Sequence, residues 1–318
     1  MAFVQYKDIE DVVFDEKQYL QTGIAKLDKT IVGLGLGQLI IITGTRAGGK
    51  TTFIGNLICN FINKGYSGLI CSFEMTNPRL RNWLNLQALG SENLIKKTSF
   101  VGREYFVPKS ESVQKAVVNW VDKHLMVYDN GSFNIKQVEK DIFTELEKNP
   151  DIKFVILDNL MKLDIETEDK WQAQSRLVKR LQVIAQRRNI CLILVAHPNK
   201  IKALPRIEDV GGSGDIINTA DTVLLIHRVS TDFKIRAKEY FGWQDNAPAF
   251  GYDNIIEIAK DREFGDDDSM IGVYFEPSSK RYLNYRGERV KFDWDKTENG
   301  DIEIFDEPLP FGDGDLPY

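Results

Sequence analysis

The residues best equipped for chemistry lie between Gly44 and Thr52, which read GTRAGGKTT and fit the pattern G-x-x-x-x-G-K-[ST]. Gly44, Gly48 and Gly49 let the backbone N–H groups of Thr45, Arg46 and Ala47 and of the glycines themselves converge on phosphate oxygens without a Cβ in the way. The positive end of a following helix would add to the attraction. Lys50 is then placed to reach the β- and γ-phosphates, and the Thr51 hydroxyl to ligate Mg²⁺, with Thr52 continuing into the helix. The expected ligand is a nucleoside triphosphate, ATP or another NTP or dNTP, with magnesium.

Such a loop needs an acid to hold the magnesium shell, and the run Phe154–Asp158 (FVILD) supplies Asp158 at the end of an apolar stretch. Hydrolysis also needs a base to orient and activate water. Glu74 follows the run GLICSF and would face the γ-phosphate if that strand lies beside the phosphate-loop strand. On spacing alone it reads equally well as an acid at a helix start, where the dipole favours negative charge.

These residues require elements that hold them. Gln38–Thr43 (QLIIIT) reads as a strand, Lys50–Asn63 as a helix, and Gly68–Phe73 as a strand. Pro78–Leu89 reads as a helix with Asn77 as its N-cap. Lys153–Leu157, Ile190–Ala196, Thr222–His227, Ile255–Ala259 and Ile271–Phe275 are further strands, with a long helix over Lys170–Arg188. Buried strands alternating with helices imply an α/β fold whose mainly parallel sheet is covered on both faces.

Composition agrees. The 318 residues are 42% apolar and 28% charged, enough for a large core without disulfides. Cys59, Cys71 and Cys191 sit in apolar runs with no paired spacing, which argues against a disulfide framework or a zinc site. Asp8, Glu10, Asp11 and Asp15 exclude a secretory signal or Arg-rich transit peptide at the start, and no run approaches the roughly 18 apolar residues of a membrane span. A soluble, cytoplasmic protein is expected. The net charge of −6 conceals an uneven distribution: nine acids and one lysine fall in Asp293–Tyr318, leaving about +2 on residues 1–292. A near-neutral body of this kind is compatible with local basic loops that contact nucleic acid.

Six segments in order resemble the core of DnaB-type replicative helicases. They are Thr22–Thr51, CSFEMTNPRL (Cys71–Leu80), VILDNLMKL (Val155–Leu163), LILVAHPNK (Leu192–Lys200), GGSGDIINTADTVLLIHR (Gly211–Arg228) and IAKDREFGD (Ile258–Asp266). SFEM, DNLM and the histidine of AHPNK are most similar to the bacteriophage primase-helicase and mitochondrial Twinkle group. The resemblance implies a RecA-like NTPase fold and an NTP-driven DNA helicase that travels 5′→3′ on single-stranded DNA at the replication fork, in the bacterial host cytoplasm if phage-encoded. It implies that Glu74 is the catalytic glutamate and that His197 senses the γ-phosphate. Lys260 and Arg262 correspond to the pair that reaches a neighbouring subunit's site, Arg262 being the arginine finger. That in turn implies a homo-oligomeric ring, a hexamer in this family.

The resemblance also assigns the loop Asn199–Gly214 to the central channel. Asn199, Lys200, Lys202, Arg206, Gly211 and Gly212 are its expected DNA contacts, suited to a sugar-phosphate backbone. Bacterial members usually carry arginine where Gly211 stands, which shifts the load to Lys200 and backbone amides. Arg228 and Phe275 are expected to flank the nucleotide base. Ser230–Tyr252 is long for a link between core strands and reads as a surface hairpin, with contact to DNA, nucleotide or a neighbour as alternatives.

The organisation expected is a subunit-docking linker (1–21), a motor domain (22–292) and an acidic disordered tail (293–318). The tail, with Phe305, Phe311 and Tyr318, resembles phage helicase C-termini that bind the replicative DNA polymerase; a purely solubilising tail is the alternative. Primase would be a separate partner, and the chain either a stand-alone helicase or a helicase-only fragment. Competing functions are a RecA/RadA-type recombinase ATPase and a non-catalytic ATP-dependent scaffold or loader.

Overall fold

A computed structural model of the chain describes residues 5–8, 13–129, 133–159, 162–164, 170–198, 204–209, 214–265 and 269–296. The sequence enters the fold through a short ribbon, β1 (Tyr19–Leu20) against β2 (Leu34–Gly35), with α1 (Ala25–Ile31) between them. Then come β3 (Leu39–Gly44), α2 (Lys50–Asn63), β4 (Ser67–Ser72) and α3 (Asn77–Leu89). A β5–β6 hairpin (Leu94–Thr98, Glu104–Pro108) and α4 (Glu111–Asp122) lead to β7 (Leu125–Val127), α5 (Ile135–Lys148) and β8 (Ile152–Asp158). Next are α6 (Lys170–Arg188), β9 (Cys191–Val195), α7 (Gly214–Thr219), β10 (Thr222–Arg228) and α8 (Thr231–Phe241). β11 (Asn254–Asp261), β12 (Ser269–Glu276) and β13 (Arg281–Leu283) close the sheet.

Among the described residues the main sheet has nine strands in the order β13-β12-β11-β10-β3-β9-β8-β4-β7. From β10 to β7 every pairing is parallel; β11, β12 and β13 are added antiparallel. The uninterrupted apolar runs follow from this. Ile40 and Ile42 face one core with Phe53, Leu57 and Phe61 of α2, while Leu39 and Ile41 face another with Leu177, Leu181 and Ile184 of α6. A parallel strand with helices on both sides has no face to leave polar. This is the RecA-like α/β arrangement expected.

Several local expectations need correction. β4, whose place beside β3 was the condition for Glu74 to face the γ-phosphate, is not beside it: β9 and β8 lie between them. Asn77 is not the N-cap of α3; Thr76 is, without a side-chain bond, and the Asn77 amide instead donates to the Tyr128 carbonyl at 3.1 Å. Ser230–Tyr252 is not a hairpin. Ser230 caps α8 by accepting from Phe233 N, and Phe233 and Trp243 bury themselves with Leu204 and Ile255 in a satellite core. Tyr19 and Leu20, placed in the linker by the sequence reading, are buried and pair with the body. Asp293–Asp295 form a 3-10 turn, and Trp294 Nε1 donates to Ala88 O at 3.0 Å where the tail was expected to have begun. The rest of the tail, with Phe305, Phe311 and Tyr318, lies outside the described residues. No helix among those described is long and apolar enough to cross a membrane.

Candidate active site

Parallel strands finish on a common edge, and ligands of open α/β sheets bind there. Gly44 (β3), Asp158 (β8), Arg228 (β10), Glu74 two residues after β4 and His197 two residues after β9 therefore come to one rim, although the strands are not all neighbours. A cleft of about 650 Å³ opens there, lined by residues 46–52, Glu74, Trp83, His197, Arg228, Phe275 and Tyr282 among others.

The loop from Gly44 to Lys50 is held by its glycines and by the antiparallel side of the sheet. At Gly44 (φ +145°) a Cβ would lie 2.2 Å from the Ile226 carbonyl oxygen; at Gly49 (φ +105°), which starts α2, it would lie 1.7 Å from Tyr282 Oη. Only glycine fits either place. Asn254 Nδ2 donates to Gly48 O at 2.7 Å, and Tyr282 Oη to Gly49 O at 3.2 Å. Buried Lys50 sends its ammonium to the carbonyls of Gly44 (2.8 Å) and Thr45 (2.9 Å). Burial pulls its pKa down, against the opposing charges of Glu74 and Asp158.

Glu74 is gripped from two sides, 3.2 Å from Asn159 Nδ2 and 3.3 Å from His197 Nε2. Burial, and next the charge of Lys50, lower the His197 pKa, so the imidazole is neutral near pH 7. Pairing with a carboxylate then calls for the Nε2–H tautomer. Asp158 is 4% exposed, and its carboxyl is pushed up to about 6 by burial first and the Glu74 charge second, with Lys50 opposing. A buried acid of this kind, near enough to Glu74 and Lys50 to feel their charges, together with the Thr51 hydroxyl that lines the cleft, fits magnesium. That ion keeps several waters and takes one or two protein oxygens plus phosphate oxygens. A dedicated cage is not needed, and no cluster of three His, Cys, Asp or Glu occurs among the described residues.

Arg228 and Phe275, expected beside the base, both line the cleft. Trp83, Tyr282, Asn254 and Asn159 were missed. Asn159 lies inside the segment Val155–Leu163, and Trp83 and Asn254 lie just outside Cys71–Leu80 and Ile258–Asp266, but nothing in their types pointed to a role; Tyr282 lies away from every motif. Lys260 and Arg262 are not among the cleft residues. Lys260 Nζ donates to Ile217 O (2.7 Å) and Ala220 O (2.8 Å), and Arg262 Nη1 to Thr219 O (3.3 Å) and Asp221 Oδ1 (3.2 Å), at the C-terminal end of α7. Of the expected DNA contacts, Asn199, Lys200, Lys202, Gly211 and Gly212 lie outside the described residues. The guanidinium of Arg206 turns inward, 2.8 Å from the buried carboxylate of Glu257.

A glycine-rich phosphate loop at the carboxyl edge of a parallel sheet, with a buried lysine and paired acids, defines a P-loop NTPase. The comparisons narrow the class. A model of the DnaB-like helicase C terminal domain family matches residues 19–284, and the chain belongs to that family. The replicative DNA helicase DnaB of Helicobacter pylori is 23% identical over 216 residues, 66% of this chain and 43% of that protein. Its Mycoplasma genitalium counterpart is 24% identical over 286 residues, 86% of this chain and 56% of that protein. The chain thus spans about half the length of the curated relatives it matches. Among solved structures, a DnaB-like replicative helicase described with its interactions with primase superposes with a TM-score of 0.64 at 17% identity, covering 84% of this chain and 62% of that one. At such an identity the structural likeness speaks for the fold alone.

Proposed function

We propose that this chain is the NTP-hydrolysing motor of a ring-forming replicative DNA helicase that moves along single-stranded DNA. The observation that carries the reading is a division of the motif residues. Lys50, Glu74 and His197 meet in one cleft, whereas Lys260 and Arg262 lie off it, with the Arg262 side chain 46% exposed. A site that needs Arg262 must take it from a second copy, and a head-to-tail contact that closes is a ring.

Within the cleft, Lys50 holds the phosphates and Glu74 takes the proton of the attacking water, oriented for that by Asn159 and His197. Thr51 and Asp158 would hold Mg²⁺, which supplies charge stabilisation to the phosphoryl oxygens. Arg262 of the neighbouring copy would add a further positive charge as phosphoryl transfer proceeds. Phe275 and Arg228 flank the base. DNA would be held by Asn199, Lys200, Lys202, Gly211 and Gly212 through sugar-phosphate contacts, giving a grip that is tolerant of sequence and sensitive to salt. Movement 5′→3′, a hexameric ring, a separate primase and a polymerase docked on the acidic tail complete the proposal.

The test is NTP hydrolysis with and without single-stranded DNA, at concentrations that favour oligomers. Wild type should be stimulated by DNA. Arg262→Ala should lose turnover and recover part of it when mixed with Glu74→Gln, because a mixed interface joins an intact cleft to an intact finger. Hydrolysis indifferent to both DNA and Arg262 would leave a P-loop NTPase and sink the helicase.

A further inference from the structure

Arg206 is the one basic residue of the expected channel loop that falls within the described segments, and its surroundings are unlike those of a DNA contact. Its guanidinium lies over the rings of Tyr240 (4.9 Å to the centroid) and Phe241 (5.2 Å), both from α8. Glu257, its partner, is fully buried, and the second carboxylate oxygen sits 2.6 Å from Nε2 of His227, itself 1% exposed. In the β10–β11 register Leu225 is opposite Glu257 and His227 opposite Ile255, so Glu257 and His227 are diagonal neighbours on one face of the sheet. The satellite core of Leu204, Phe233, Ala237 and Trp243 packs around Ile255 beside them. The inserted α8 thus roofs this network.

The network does not stop at His227. The Asn254 amide donates both to the His227 carbonyl (3.2 Å) and to the Gly48 carbonyl of the phosphate loop (2.7 Å). A continuous path runs from Gly48 through Asn254 and β10 to His227, Glu257 and Arg206. Burying an ion pair carries a desolvation penalty, and what it returns is a single well-defined geometry. We propose that Arg206, Glu257 and His227 are positioning residues that tie segment 204–209 to the phosphate loop. Occupancy of the nucleotide cleft then reaches the chain beyond His197 by a route separate from the Glu74–His197 contact. The DNA consequence of this linkage rests on the helicase reading; the linkage itself does not.

Two measurements on the full chain separate the two. The first is hydrogen exchange of the peptide covering residues 204–209, with and without Mg²⁺ and ATPγS. In wild type, nucleotide should change its protection. Arg206→Met/Glu257→Gln removes both charges at similar volume and strands neither. It should bind ATPγS within about twofold of wild type while the change in exchange disappears. Near-isosteric Glu257→Gln alone supplies the same comparison if the double variant fails to fold.

The second is DNA-stimulated hydrolysis together with the salt dependence of oligonucleotide binding. Stimulation should fall about fivefold or more in both variants while the log–log salt slope stays put. A slope lowered by about 0.7 in the double variant, with Glu257→Gln silent, would show that Arg206 grips a phosphate itself and would overturn the proposal. So would wild-type exchange that ignores nucleotide, or a nucleotide response that survives in the variants. Wild-type hydrolysis indifferent to DNA would count against the helicase reading and leave the exchange result to decide the linkage.

Discussion

Lys50 and Lys260 are both held by backbone carbonyls, two for the first and three for the second, yet on opposite sides of the functional question. Lys50 bonds Gly44 and Thr45 inside the cleft, on the parallel part of the sheet. Lys260 bonds Ile217 and Ala220 at the end of α7, on the antiparallel part. Parallel strands release all their chemistry at one edge, so residues far apart in sequence converge there. Antiparallel strands release it at alternate ends, and their charges settle on the nearest partners, as Glu257 of β11 does on Arg206 and Arg262, just past β11, on Asp221. The parallel part therefore assembles a site within one chain. The antiparallel part keeps Lys260 and Arg262 off the cleft and lends it props: Asn254, Tyr282, Phe275.

If that division is right, substitutions on the parallel part should have the largest effects on chemistry. Lys50→Ala and Glu74→Gln are expected to lower steady-state turnover by roughly 10²–10⁴-fold. Glu74→Gln should still bind nucleotide, because the carboxylate acts on water and not on the phosphates. Asn159→Ala should follow, with kcat down by about tenfold and KM little changed, since Asn159 only orients Glu74. A KM effect as large as the kcat effect would mean that Asn159 binds substrate directly.

How much of this was legible in the sequence also divides along the sheet. β3, the phosphate loop and α2 were readable because apolar run, glycine spacing and helix follow one another directly along the chain, and each supports the others. Strand order was not: that β9 and β8 separate β4 from the loop strand depends on pairings between distant segments, which no local pattern encodes. Asn159 was hidden for the same reason, since its partner Glu74 is 85 residues away. Arg206 misled because an arginine in a loop ordinarily faces solvent. Its burial depends on Glu257 across the chain and on α8, whose segment read from sequence as a surface hairpin.

Asp158 gives the comparison a pH axis. Its carboxyl rises from an ordinary 3.8 to about 6 in the fold. Between those values the folded chain keeps a proton that the unfolded chain has released, so stability falls as pH rises through the window and the full penalty stands above about pH 6. Asp158→Asn should therefore make the nucleotide-free protein more stable at pH 7.5 by about 2–3 kcal/mol, a gain that fades toward pH 4. Urea unfolding at a series of pH values measures it. A gain independent of pH would place its origin in packing and not in charge.

The smallest effect should come from a prop. Tyr282→Phe removes the hydroxyl that reaches Gly49 O across from β13, but that carbonyl also accepts from Phe53 N at 2.9 Å within α2. The carbonyl is not orphaned, so the loss is one hydrogen bond in its modest net sense, about 0.5–1 kcal/mol. Nucleotide affinity should fall by about two- to fivefold with kcat unchanged. A loss of kcat comparable to that of Asn159→Ala would mean that the antiparallel part acts on the chemistry and not only on the loop that holds it. The division drawn between Lys50 and Lys260 would then fail at its boundary, the contact between Tyr282 and Gly49.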